Sequence, residues 1–185
     1  MFENLKADIG RYRRYGDNSS LPVLIFHQQG LWAVICYRIG RWLLEHRLPP
    51  VIRQLASGCY QLYWKSVQVA TGIYISPTVK IGKGFYVAHF GQIFLGGETV
   101  IGEDCNVAQG VTLGYAYHKG EWGTPSCGDR VFISPGAKVI GPVFLANGTL
   151  VGANAVVKMD TEENAVVAGV PAKVLSHKGS AEFIS

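Results

Sequence analysis

Charge is scarce in this chain. Only 16% of its 185 residues are Asp, Glu, Lys or Arg, against 48% hydrophobic residues, a composition that excludes disorder. The formal charge of +4 is mild. No run of like charge interleaves with aromatics, so nucleic acid is not an expected partner. A small basic excess suits an anionic ligand such as a phosphorylated cofactor. Cysteine is sparse as well: Cys36, Cys59, Cys105 and Cys127 lie far apart and form no CxxC, so neither a zinc knot nor a redox pair is expected. GxSxG, HExxH and a Gly-rich phosphate loop are all missing, which argues against a covalent serine intermediate and against metal hydrolysis; no metal is expected. Long apolar runs are missing too. Leu21 to Leu44 is apolar and aromatic, but Arg38 and Arg41 interrupt it and Gln28 and Gln29 lie upstream, so a buried or interfacial helix is expected rather than a span. The opening Met1-Phe2-Glu3-Asn4 has no basic region ahead of an apolar stretch. The expected location is the cytoplasm, with reduced thiols.

Glycine, by contrast, is plentiful: there are 23. It accompanies a period of six. Ile75, Ile81, Val87 and Ile93 form one series, Ile101, Val107 and Leu113 a second, and Ile133, Val139, Leu145, Val151 and Val157 a third. Four places after each aliphatic residue comes a compact one: Val79, Gly91, Cys105, Val111, Ala137, Val143, Thr149 and Ala155, with Phe85 the exception. Six is neither the helix nor the plain strand period. It marks a solenoid whose short strands each point one residue inward and then turn a corner. Cys105 falls on the compact beat and reads as a core filler.

The period divides the chain. Residues 1–70 read as a helical region: Leu5, Ile9 and Tyr12 on one face of a first helix that Gly16-Asp17-Asn18-Ser19-Ser20 ends, Ile35, Ile39, Trp42 and Leu43 as the buried stripe of a second, and Ile52, Leu55, Cys59 and Leu62 as that of a third. Such helices would cap the open end of the coil. Their aromatics Trp32, Trp42, Tyr60, Tyr63 and Trp64 leave a docking surface for a membrane or a partner open as well. Residues 71–175 read as the coil, with a two-residue slip absorbed at Gly96-Gly97-Glu98. A loop over 114–130 breaks the beat. It is too long for a corner, and its two tyrosines, tryptophan and histidine argue for function rather than disorder. Residues 176–185 read as a short polar tail that frays.

Two histidines stand out from the five. His89 comes two places after Val87, so its side chain should leave the strand away from the core, where an imidazole can act as general base toward a hydroxyl. His118 lies in the long loop, from which it could reach a site on a neighbouring coil. His27, His46 and His177 read as structural or solvated.

The stretch from Thr71 to Val174 resembles the serine acetyltransferase branch of the hexapeptide-repeat acyltransferases. The blocks are TGIYISPTVKIGKGFYVAHFGQIFLGGETVIGEDCNVAQGVTLG, GDRVFISPGAKVIGPV, VGANAVV and AGVPAKV, and AVICYRIGRW resembles the segment ahead of that branch's coil. The family's large N-terminal helical domain is shortened here. The resemblance implies a mainly β fold, a left-handed parallel β-helix with an N-terminal α-helical cap. It implies acetyl-CoA as co-substrate and a homotrimer with sites between protomers, with a dimer of trimers open through the helices. It further implies His89 as general base, the backbone N–H of Gly114 or Tyr115 facing the oxyanion, and Ser134, Pro135, Gly136 and Ala153 along the pantetheine arm beside Gly114. Lys173 would meet a CoA phosphate.

Departures from the family bear on the acceptor. Where serine-using members carry an aspartate in a GIDIHP block, this chain has Tyr74, so His89 would take its tautomer from Tyr74, a carbonyl or a carboxylate such as Glu98. The aspartate just before the catalytic histidine is Ala88 here, and the loop's Arg-His-Pro is Gly123-Thr124-Pro125. A zwitterion left with an unpaired charge in a closed site costs about 1–3 kcal/mol or more. The loop's Tyr117 and Trp122, with Tyr115 and Thr124 beside them, suit a sugar ring. The expected activity is therefore acetyl transfer to a hydroxyl of a capsular or exopolysaccharide sugar at the inner face of the membrane. Serine O-acetylation is the first alternative, and a non-catalytic scaffold the second.

Overall fold

The structure, a computed structural model, describes residues 2–16 and 18–184. Met1 of the opening, Asp17 of the expected helix stop and Ser185 of the tail lie outside the described residues. Four helices come first: α1 (Phe2–Tyr15), α2 (Leu21–His27), α3 (Gln29–Glu45) and α4 (Pro50–Thr71). The apolar stretch expected as one helix is two, because the chain leaves helical geometry at Gln28 (φ −112°, ψ 85°). Pro49 and Pro50 set the start of α4, where a missing N–H costs nothing. Gly72, at φ 66°, ends it: its N–H bonds the Gln68 carbonyl and its left-handed turn starts the coil.

Five coils follow. The first holds β1 (Ile73–Ile75), β2 (Lys80–Ile81) and β3 (Tyr86–Val87), and the second β4 (Ile93–Leu95), β5 (Val100–Ile101) and β6 (Asn106–Val107). The third holds β7 (Thr112–Gly114), then a hairpin of β8 (Ala116–His118) and β9 (Glu121–Gly123), then β10 (Ser126–Cys127) and β11 (Phe132–Ile133). The fourth holds β12 (Lys138–Ile140), β13 (Phe144–Leu145) and β14 (Leu150–Val151). The last holds β15 (Val156–Val157) and β16 (Val166–Gly169), after which β17 (Ala172–Ser176) turns back antiparallel. Three faces result: face A (β1, β4, β7, β12, β15), face B (β2, β5, β10, β13) and face C (β3, β6, β11, β14, β16, β17). Every pairing between coils is parallel, giving the expected left-handed parallel β-helix with N-terminal helices.

The core is the inward rung of each face. Ile75, Leu95, Leu113, Val139 and Val157 stack on face A, Ile81, Ile101, Cys127 and Leu145 on face B, and Val87, Val107, Ile133, Val151 and Val167 on face C; all are buried. Each aliphatic side chain so buried contributes about 1.5–3 kcal/mol before entropy is set against it. Cys105 is buried as the filler it was expected to be.

Several expectations need correcting. The two-residue slip lies between Val87 and Leu95, not at Gly96-Gly97-Glu98: Leu95 is the partner of Ile75, while Ile93 pairs with Ile73 and is buried beside it. The broken stretch is not an irregular loop throughout, since β8 and β9 pair antiparallel with Tyr117 opposite Trp122. The coil resumes at Cys127, one hexad ahead of Ile133. The buried side of α3 is Leu31, Val34, Tyr37 and Arg38, with Ile35, Ile39 and Leu43 only partly buried. On α4 the expected stripe faces outward: Ile52, Leu55 and Leu62 are 54%, 68% and 76% exposed, and Tyr60 and Val67 are buried instead. Tyr60 reaches into the gap left by Gly40, where a Cβ would lie 2.0 Å from its hydroxyl. The tail does not fray at once. Ser180 is buried and bonds the Arg130 carbonyl and, through its N–H, that of Gly148, and Phe183 meets Phe132 at 5.4 Å.

The cap is tied to the first coil by polar groups as well as packing. Asp8 and Arg38 form a buried ion pair. Asp8 also accepts the Phe85 N–H, and Arg38 donates to the Ile81 and Gly82 carbonyls. Tyr37 donates to the Val79 carbonyl and accepts the Ile81 N–H. No helix among the described residues is long and apolar enough to cross a membrane. The four thiols are free. Burial pushes Cys36 up to about 11 and Cys105 up to about 12, and Cys127 is raised well above its ordinary value by the same cause. Only Cys59 is exposed. Maleimide added to the native protein is therefore expected to label Cys59 alone, with the other three reacting only after denaturation; native labelling of Cys105 on mass spectrometry would refute that.

Candidate active site

The slip creates the site. Between Val87 and Ile93 the chain must spend more residues than any other corner of the first coil. It does so with Gly91 at φ 103° and Gln92 at φ 55°. Only glycine takes the first of these values without strain. The corner bulges, and His89 at its head is exposed. It makes no hydrogen bond among the described residues.

The register extends this position into a column. Val87, Val107, Ile133, Val151 and Val167 are aligned, so the residues two places on, His89, Gln109, Pro135, Ala153 and Gly169, head successive coils along the edge between faces C and A. A groove of about 410 Å³ runs down this edge, lined by Phe90, Gln92, Gln109, Pro135, Gly136 and Ala153 among others. Gly136, at φ 75°, leaves room that a Cβ would fill against Asn154 Oδ1 at 2.0 Å. Gln109 Oε1 is buried beside the groove without a partner among the described residues. Gln92, Gln109 and Asn154 were missed by sequence reading. Gln109 was within reach of it, because it stands two places after Val107 as His89 does after Val87.

On the other side of the same corner lies a cavity of about 440 Å³, between the coil and the α2–α3 junction. His27, Gln28 and Gln29 face it from the cap, and Tyr86, His89 and Phe90 from the coil. Phe90 lines both hollows. His89 lines the cavity and not the groove, and an imidazole exposed to such a hollow can serve as a general base.

The remaining expected site residues fall elsewhere. Ser134 is in the column's backbone, its N–H bonded to the Val151 carbonyl. Lys173 is exposed on β17 opposite Ala168, just past the turn that closes the column. Tyr74 is on the outer side of face A, stacked on Phe94 (4.8 Å, 9°) and tilted against Trp64 at 5.4 Å. No hydrogen bond joins Tyr74 or Glu98 to His89 among the described residues. Gly114 ends β7. Its carbonyl accepts the Gly141 N–H, and since a strand residue's N–H points to the same side as its carbonyl, this N–H faces β12; the exposed Tyr115 is the freer donor. Tyr115, Tyr117 and Trp122 pack on one another at 5.4 and 5.6 Å yet stay 60–64% exposed. Thr124 lies over Gly97, where a Cβ would meet its methyl at 3.4 Å. His118 covers Gly141, and its Nε2 is buried without a partner among the described residues. The hairpin leaves face A at the end of β7, whereas His89 precedes the start of β4. Within one chain His89 therefore lies at the corner next to Phe90, at the head of the groove that runs past Pro135, Gly136 and Ala153 without lining it, and His118, Tyr117, Trp122 and Thr124 lie off the other end of face A.

No family model matches the chain. Whole relatives do. A serine acetyltransferase of Synechococcus elongatus is 32% identical over 181 residues, 97% of this chain and 70% of that protein. The one of Mycobacterium tuberculosis is 34% identical over 177 residues, 95% and 73% of the respective chains. This chain belongs to the serine acetyltransferase family. Among solved structures, a serine acetyltransferase in complex with cysteine superposes with a TM-score of 0.78 at 29% identity, covering 94% of this chain and 69% of that one. A complex with CoA gives 0.77 at the same identity, over 94% and 68%. Membership makes the chain an acetyl-CoA-dependent acyltransferase of the hexapeptide-repeat class. The expected sugar acceptor finds no counterpart among these relatives, whose names specify serine.

Proposed function

We propose that the chain transfers the acetyl group of acetyl-CoA to the hydroxyl of L-serine. The carrying observation is that His89 lines the hollow under the cap while its neighbour Phe90 lines both that hollow and the one running along the Pro135–Gly136–Ala153 edge. The relatives' names supply the acceptor. His89 takes the hydroxyl proton as the oxygen attacks the thioester carbonyl. The oxyanion of the tetrahedral intermediate is met by a backbone N–H, for which Tyr115 is the freer candidate. The carbon–sulfur bond then breaks, and the CoA sulfur takes the proton back from the imidazolium, leaving an O-acetyl ester and CoA. The acetyl-CoA chain would lie along the groove, with Ser134 and Gly136 approaching the pantetheine and Lys173 near a phosphate.

The distant hairpin fits an assembly. Strands β1, β4, β7 and β12 of face A are three residues long, about 10 Å at ~3.3 Å per residue, and the hairpin stands at the opposite end from His89. A cyclic trimer would bring one protomer's Tyr115, Tyr117, His118 and Trp122 to its neighbour's His89.

One observation favours a second reading, a sugar hydroxyl as acceptor. The three exposed rings of the hairpin offer faces for a pyranose, and Ala88, Tyr74 and Thr124 carry no charge for a zwitterion. Thiol release from acetyl-CoA decides between the two. Saturable, L-serine-dependent release is expected. Release with sugars but not with serine would replace the reading, and CoA binding without turnover on either would leave a scaffold.

A further inference from the structure

The cavity under the cap owes its shape to a close approach. A Cβ at Gly30 would lie 2.3 Å from the Val87 carbonyl oxygen and 2.9 Å from the Tyr12 hydroxyl, so glycine alone lets α3 begin against β3. The same Tyr12 hydroxyl donates to the Val87 carbonyl at 3.1 Å and accepts the Val87 N–H at 3.0 Å. Helix, tyrosine and strand are thereby clamped together two residues ahead of His89. The clamp sets His27, Gln28 and Gln29 on one wall of the cavity, with Tyr86, His89 and Phe90 on the other.

Of the described residues lining this cavity, only His27 and His89 can carry a positive charge. His27 is the last residue of α2, whose C-terminal dipole favours a cation, although Leu24's carbonyl accepts the Gln28 N–H and Ile25's accepts the Trp32 Nε1–H. It is exposed, it meets the Phe26 ring edge-on at 5.1 Å, and it makes no hydrogen bond among the described residues. Its ring nitrogens bond none of the described residues and can meet a ligand. Gln28 and Gln29 add neutral amides beside it.

We infer that His27 is a specificity-determining residue for the acceptor: its imidazole holds the acceptor's carboxylate while the acceptor's hydroxyl meets His89. This rests on the acyl-transfer reading above. It assigns the helical cap a part in acceptor choice, in addition to covering the coil's end. Gln28 and Gln29 bond the acceptor's remaining polar groups.

Steady-state kinetics of the full chain and its His27→Ala and His27→Gln variants, with L-serine and acetyl-CoA varied separately, test it. The Ala variant is expected to raise KM for the acceptor about 10–100-fold, the range of a lost charge-assisted hydrogen bond, with kcat and KM for acetyl-CoA within about twofold of the parent. The Gln variant, which keeps a neutral donor, is expected to recover part of that loss. An unchanged KM for the acceptor, or an equal rise in both KM values, overturns the inference. Histidine ring NMR of the CoA-bound parent protein, titrated with L-serine, reads His27 without turnover. A His27 signal that does not move overturns the inference whatever the activity. A signal that moves in a protein inactive on serine keeps the inference and overturns the catalytic reading instead.

Discussion

Replacing His89 with Ala is expected to lower turnover by about 10²–10⁴-fold, the usual contribution of one positioned base, and to leave CoA binding and folding nearly intact. The corner explains the separation of effects. His89 is exposed, bonds no other described group and lies outside the stacked rungs, so its removal opens no cavity. The groove that would hold CoA is lined by Gln109, Pro135, Gly136 and Ala153 without it. Turnover from single-exponential thiol release, set beside calorimetric titration with CoA, separates the two quantities. A fully active variant would take His89 out of the mechanism and turn attention to His118.

The second large effect concerns folding. Asp8→Ala is expected to destabilise the protein by about 3–5 kcal/mol, the cost of breaking a buried ion pair from one side. Asp8 and Arg38 are 0% and 3% exposed, and their two hydrogen bonds measure 2.8 and 3.1 Å. Without the carboxylate, Arg38 keeps the Ile81 and Gly82 carbonyls but no counter-charge, and the Phe85 N–H loses its acceptor. Burial raises the Asp8 carboxyl above its ordinary value, while Arg38 and the Phe85 N–H pull the other way. A group raised in this way binds its proton more tightly folded than unfolded. Its own titration therefore favours folding most below the unfolded value, and that share is lost as pH rises through the folded one. At neutral pH it is pairing with Arg38 that makes the buried carboxylate tolerable. Urea midpoints of parent and variant measure the loss, and a change below about 1 kcal/mol would remove the pair as the staple between cap and coil.

The coil was legible because nearly every inward rung carries an aliphatic side chain and the spacing between rungs is fixed by the corners. Where that link fails, so does the reading. Ile93 keeps the six-residue beat by coincidence, since its partner is Ile73 and not Ile75, and the slip was therefore placed one corner too late. Cys127 fills a rung without being aliphatic, which hid the restart of the coil. On α4 a regular apolar stripe was visible, but which side of a helix is buried is decided by what packs on it. Here Gly40 of α3 admits Tyr60, and the stripe through Leu55 and Leu62 is left outside. His89 was found from its place after Val87 together with the resemblance. His27, Gln28 and Gln29 were not, because nothing in the linear order brings the α2–α3 junction to a strand about sixty residues later; the signal, if any, was Gly30, a glycine inside a helical pattern.

The hairpin of β8 and β9 interrupts the third coil, yet Cys127 returns to the rung between Ile101 and Leu145 as though nothing had intervened. Such an excursion is mechanically silent: its length and content leave the pitch of the spine unchanged. Residues of the hairpin can thus change without moving the edge that carries Pro135, Gly136 and Ala153.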